Sequence, residues 1–178
     1  MKQLLLICAV VALVGCGKKD DGNTGVVNPN KPSPKAVPEK LITDPIVEKA
    51  VREELEKPEG KLTEADLEKV TELNFAFVRA EAGAIALTEL PKGLEKLTQL
   101  TMLILPNNKL TDVKGLEKLT QLTELWIQGN QLTDVKSLEK LTQLKELYLY
   151  DNPDLTKAQI AELKKALPKC DIYSNPTK

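Results

Sequence analysis

Between residues 94 and 159 the apolar positions recur in successive blocks of 22 residues. Residues 94–115 read LEKLTQLTMLILPNNKLTDVKG and residues 116–137 read LEKLTQLTELWIQGNQLTDVKS, identical at 15 of 22 positions. Residues 138–159 open with LEKLTQLKELYLYDNPDLT and keep 10 of 22 against the second block. Self-similarity at such a period means stacked units, each burying its apolar side against its neighbours. Leu103 and Leu105 alternate along a short predicted strand, so both point to one face and Met102 and Ile104 to the other. Leu94, Leu97, Leu100, Leu110 and Val113 bring the inward groups of the block to seven. The strands are expected to pair in parallel as one sheet, with the LTDVKGLEKL segments returning along the outer side.

A divergent block comes first. Leu67, Val70, Leu73 and Phe75 keep the phase, after which residues 78–86, with Arg79, Glu81 and Gly83, break it. That stretch is expected to be a bulged loop, either a partner-contacting projection or a plain insertion. Asp44-Pro45 is an N-cap with proline in the first helical turn, and Ile46, Val47, Ala50, Val51 and Leu55 form one apolar stripe behind it. Thr63-x-x-Asp66 marks a second, shorter start. Thr156-x-x-Gln159 is a capping box ahead of Ile160, Leu163 and Leu167; Pro168 stops that helix, and residues 170–173 follow as an edge strand with Cys170 as a small buried residue.

The spacing Leu100-x-x-Leu103-x-Leu105-x-x-Asn108-x-Leu110 resembles a leucine-rich repeat and recurs from Leu122 and from Leu144. With the 22-residue length, the Leu-Thr-Asp-Val link and the helical start, it is similar to the internalin-like class. The resemblance implies an α/β fold: a short leucine-rich-repeat solenoid with parallel strands on its concave face, a helical N-terminal cap and a helix-plus-strand C-terminal cap. It also implies protein–protein interaction. The organisation expected is a cap at residues 41–66, repeats at 67–155 and a C-terminal cap at 156–178. Asn108, Asn130 and Asn152, 22 residues apart, are read as a structural ladder whose amides satisfy backbone groups at the turns.

The first forty residues read differently. Lys2 precedes an apolar run from Leu4 to Val14, too short to cross a bilayer, where roughly 20 residues are needed, and proportioned like a signal peptide. Leu13-Val14-Gly15-Cys16 resembles the lipobox of bacterial lipoproteins. That likeness implies cleavage between Gly15 and Cys16, a signal of residues 1–15, and a diacylglyceryl thioether on Cys16 holding the chain to a membrane. Two or more acyl chains anchor stably. Residues 16–40, with Pro29, Pro32, Pro34 and Pro38 among Lys, Asn and Ser, have little to bury and read as a disordered tether reaching roughly 25–30 Å. The expected location is the bacterial cell envelope, at the outer membrane or cell surface rather than the inner membrane. With Cys8 removed and Cys16 acylated, Cys170 has no partner for an internal disulfide.

Composition narrows the chemistry. The chain has no histidine, which removes Ser-His, Cys-His and His-metal mechanisms, and its three serines lie far apart. A net charge of -1, with 24 basic against 26 acidic side chains once Lys2 leaves, gives no field for nucleic acid. No cofactor or metal is expected, and a monomer is. What varies between blocks is the outward side of the strands: Met102, Glu124 and Glu146; Ile104, Trp126 and Tyr148; Pro106, Gln128 and Tyr150; Asn107, Gly129 and Asp151. Three of the six aromatic residues, Trp126, Tyr148 and Tyr150, fall there. Trp and Tyr are enriched among interface hot spots. The expected partner-binding face is therefore Met102, Ile104, Glu124, Trp126, Glu146, Tyr148, Tyr150 and Asp151, facing a protein or another surface ligand such as a glycan. The other readings are a passive structural envelope lipoprotein and, more remotely, a hydrolase on the Glu124–Glu146 pair or a metal site on Glu124, Glu146 and Asp151. An open, solvated sheet would leave such carboxylates without the desolvation that catalysis needs.

Overall fold

A computed structural model describes residues 40–76 and 86–176. The expected signal peptide, the expected lipidation site at Gly15 and Cys16, the expected tether up to residue 39 and residues 78–85 of the divergent stretch lie outside the described residues.

Helix α1 (Pro45–Glu54) starts where Asp44 accepts the Ile46 and Val47 N–H groups at 2.8 and 3.4 Å, filling two of the donors a helix start leaves open. Val47, Ala50 and Val51 are buried, with Ile46 and Leu55 packed beside them. Arg52 closes the far end: it donates to Glu48 at 2.9 and 3.1 Å and to the Lys57 and Gly60 carbonyls at 3.2 and 2.9 Å. Thr63 and Asp66 form the capping box of α2 (Glu64–Leu67), so the short helix runs through the residue at which the repeat pattern begins. The Lys57 ammonium, 2.7 Å from Asp66, and the Thr63 donors hold the Asp66 carboxyl well below the usual carboxylate range.

Five strands then follow: β1 (Glu72–Asn74), β2 (Met102–Ile104), β3 (Glu124–Trp126), β4 (Glu146–Tyr148) and, after helix α3 (Lys157–Ala166), β5 (Asp171–Tyr173). They form one parallel sheet in chain order. Leu103, Leu125 and Leu147 pair in register, so the 22-residue period becomes the step between neighbouring strands. The steps are longer at both ends, where Leu73 pairs with Leu103 and Leu147 with Ile172. All seven inward groups of the first regular block are buried, and their counterparts continue one core from Ile42 to Leu167.

The extra residues of the first unit lie between Phe75 and Leu87. Leu87 donates to the Asn108 side chain at 3.0 Å and accepts from the Lys109 N–H at 2.8 Å. Leu110 stands in the same relation to Asn130 and Gln131, so Leu87 and Leu110 occupy equivalent places.

Return segments tighten into 3-10 turns at Leu94–Lys96, Leu116–Lys118 and Lys136–Lys140. Gly93 and Gly115, at φ of 95° and 102°, open the first two, and Glu95 and Glu117 reach back to accept their N–H groups at 2.9 and 2.6 Å. Hydrogen bonds from its own backbone N–H and from that of Gly115 lower the Glu117 carboxyl from its ordinary value. Ser137 replaces glycine in the next block; there the turn begins at Lys136, whose N–H donates to Asp134 at 2.8 Å.

Side chains substitute for the missing next repeat at the C-terminal end. Inside the stack, Thr133 N–H donates to the Thr111 carbonyl at 2.9 Å; at the end, Gln159 Nε2 donates to the Thr133 carbonyl at 2.8 Å. Asn107 and Gly129 donate to carbonyls of the following strand's exit at 2.8 and 2.9 Å, whereas Asp151 N–H donates to Asn175 Oδ1 at 2.7 Å. Cys170 differs from the sequence expectation: it is half-buried just ahead of β5 rather than fully enclosed. Burial, then the charges of Asp171 and Glu146, push its thiol up to about 11, which leaves it protonated at neutral pH.

Candidate functional site

The three asparagines sit at the turns where the chain leaves each strand, and all are buried. Asn130 Nδ2 donates to the Ile127 carbonyl of its own unit at 2.9 Å and to Leu105 of the preceding one at 3.1 Å, while Oδ1 accepts from Leu110 N–H at 3.1 Å. Asn152 repeats this with Leu149, Ile127 and Leu132 at 3.1, 3.1 and 3.2 Å. Asn108 serves Leu105 and Pro106 carbonyls at 3.2 Å each and the Leu87 N–H. Their donors and acceptors are therefore occupied by backbone, with the amides turned away from any ligand.

On the opposite side of the sheet, strand register sorts the outward side chains into two rows. Glu72, Met102, Glu124, Glu146 and Asp171 form one; Asn74, Ile104, Trp126, Tyr148 and Tyr173 form the other. The rows are tied to each other along the strands: Trp126 Nε1 donates to Glu124 at 2.5 Å and Tyr148 Oη donates to Glu146 at 2.6 Å. The rings stack. Centroids of Trp126 and Tyr148 are 4.4 Å apart, Tyr148 and Tyr173 4.8 Å, and Tyr150 and Tyr173 6.3 Å. Such contacts, beyond burial itself, stabilise by about 0.5–1.5 kcal/mol a pair. The Glu146 hydrogen bond foremost, then desolvation and neighbouring negative charge, pushes the Tyr148 phenol up to about 12.

Met102, Ile104, Glu124, Trp126, Glu146 and Tyr148 thus share the face expected of them, all half-buried. Tyr150 is the exposed large apolar side chain among the described residues, at 39%. Asp151 belongs elsewhere. Asn107, Gly129 and Asp151 occupy one turn position with φ of 54°, 67° and 55°, a left-handed conformation that Gly, Asn and Asp tolerate best. Their variation reflects that backbone constraint, and Asp151 is further engaged with Asn175 at 3.0 Å. A Cβ at Gly129 would lie 2.3 Å from Asn107 Oδ1, so glycine spares that side chain from moving aside.

Sequence reasoning missed Tyr173, the fourth ring, together with Glu72, Asn74 and Asp171. The alternation that turned Cys170 and Ile172 inward was the available signal, since it turns Asp171 and Tyr173 outward. No group of three or more candidate ligands that could hold a metal ion occurs among the described residues.

The family model for Leucine Rich repeats matches in two copies, at residues 98–134 and 120–165. The fold is a leucine-rich-repeat solenoid. Among solved structures, this solenoid is similar to an internalin (inlF) from Listeria monocytogenes, with 30% identity and a TM-score of 0.58 over 75% of this chain and 36% of that one. An internalin C2 (inlC2) from the same species matches at 25% identity and a TM-score of 0.58, covering 78% of this chain and 58% of its own. The chain therefore spans about a third of the first protein and 58% of the second. Comparison with curated protein sequences gives no match. The leucine-rich repeats are internalin-like, and repeats of this kind present extended surfaces for binding other proteins.

Proposed function

We propose that this protein is a lipid-anchored binding module of a bacterial envelope, attached through Cys16 and engaging a protein partner with the open face centred on Trp126 and Tyr148. The observation that carries the reading is the unbroken run of rings, Trp126–Tyr148–Tyr173–Tyr150, half-buried to exposed on the outward side of the sheet. Trp and Tyr dominate interface energetics, and rings already fixed by stacking and by carboxylate hydrogen bonds lose little freedom on binding. Glu124 and Glu146 serve as acceptors in this arrangement, with no catalytic step assigned to them.

The test is capture of envelope proteins on the full chain beside a Trp126→Ala/Tyr148→Ala variant matched in circular dichroism. Truncating two central anchors is expected to weaken capture about a hundredfold. Equal capture by both, or none by either, would favour a passive structural envelope protein.

The anchor has its own test. The apolar run that ends at Gly15-Cys16 supports lipidation and placement at the outer membrane or cell surface. Cys16→Ser is expected to accumulate as uncleaved, unlipidated precursor in fatty-acid labelling. Labelled product of mature size from that variant would overturn the anchor and leave the binding face untouched.

A further inference from the structure

Ten outward positions on the five strands hold four carboxylates (Glu72, Glu124, Glu146, Asp171) and neither lysine nor arginine. The whole chain carries 25 basic against 26 acidic side chains, so the sheet face is acidic by segregation and not by composition. Lys145, beside Glu146 in sequence, precedes the strand and is exposed. Glu124, Glu146 and Asp171 stand in register on adjacent strands, an arrangement of like charges that destabilises a sheet.

Hydrogen bonding sharpens the picture. The one donor of Trp126 is used on Glu124 and the hydroxyl hydrogen of Tyr148 on Glu146. Neither of these two rings keeps a donor for a partner, and Tyr148 is flanked by Trp126 and Tyr173; what the row still offers is the lone pairs of its carboxylates. These are complementary to a cation rich in N–H donors. The three in-register carboxylates span two strand steps, about 10 Å, against roughly 7 Å between same-side residues of an extended chain.

We infer that the partner of this face presents lysine or arginine on an extended segment of polypeptide, with cationic heads against Glu124, Glu146 and Asp171, beside the row of rings. The inference rests on the reading of the open face as the binding site and adds the chemistry of what it binds.

Trp126 is the chain's single tryptophan, so its fluorescence reports on the site directly. The probe is a decapeptide alternating lysine with serine, titrated into the full chain, with a glutamate–serine decapeptide as control. The lysine peptide is expected to give a saturable change that weakens with added salt and falls about tenfold in affinity for Glu124→Gln/Glu146→Gln. Glutamine still accepts the ring donors, so this variant is expected to melt no lower than the parent. As a second measurement independent of any peptide, caesium ions are expected to quench Trp126 more strongly than iodide in the parent, with the preference lost in the variant. No saturable response to the lysine peptide, an equal response from the variant, or equal quenching by both ions would overturn the inference. A partner captured by the parent and by Glu124→Gln/Glu146→Gln alike, yet lost by Trp126→Ala/Tyr148→Ala, would overturn the cationic chemistry and keep the face. A partner kept by both variants would remove the face itself.

Discussion

Asn130→Ala is expected to lower the melting temperature by roughly 10 °C, corresponding to a loss of about 3 kcal/mol. The side chain is 3% exposed and bridges two repeats. Its amide donates to the carbonyls of Leu105 and Ile127 and accepts the N–H of Leu110. Alanine leaves the buried Leu110 N–H with no partner, at about 1–3 kcal/mol, and removes one of the two asparagine donors from each of the Leu105 and Ile127 carbonyls, which Asn108 and Asn152 still serve, at about 0.5–1.5 kcal/mol each. Asn130→Asp keeps the shape but replaces two donors by a carboxylate oxygen facing two carbonyls, so it is expected to lose at least as much. Gln131→Ala, exposed and next in sequence, is the control and should melt within a degree or two of the parent. Thermal unfolding by circular dichroism decides the matter. An Asn130→Ala protein that melts like Gln131→Ala would mean the ladder is ornamental and would reopen a ligand role for its amides.

The repeat fold was legible because its cause is local and periodic. Seven apolar positions recur, a solenoid stacks recurring units, and the register of Leu103, Leu125 and Leu147 follows from the spacing alone. The period was less informative where it breaks. Counting from Leu94 hid the fact that Leu87 already stands in the place of Leu110, because only the backbone contacts with Asn108 and Lys109 reveal that equivalence. Tyr173 escaped for a related reason: β5 follows a helix and pairs at a longer interval, so no column of aligned blocks includes it.

Variation between repeats has two physical sources that look alike in a sequence. At Ile104, Trp126 and Tyr148 the side chains are released from the core and take a new role in the stacked rings. At Asn107, Gly129 and Asp151 the side chains change while a positive φ stays fixed, so the choice is confined to residues that tolerate it. The identities Asn, Gly and Asp carried this signal, since they are the residues that enter left-handed turns most readily.

Leu125→Ala is expected to cost about 2–5 kcal/mol and to change the form of the transition as well as its midpoint. Leu125 is fully buried at the centre of β3, the middle strand of the five, with Leu103 and Leu147 in register on either side. In a solenoid each unit contacts only its neighbours, so a void in the middle weakens both interfaces together and uncouples the two ends of the stack. The melt should broaden or split, with the capped segments through β2 and from β4 onward losing structure separately. Trp126, one residue along the same strand, would then shift its fluorescence ahead of the loss of circular dichroism, and the acidic row at Glu124 would lose its alignment with it. Leu155→Ala supplies the comparison: its side chain is also buried but lies near the C-terminal end of the core, with one side of the stack to support. It should melt in a single transition with a smaller loss. Equal losses and equally sharp melts for the two variants would show that the stack unfolds as one unit, and that the outward sheet face draws its rigidity from the whole domain instead of from its two nearest neighbours.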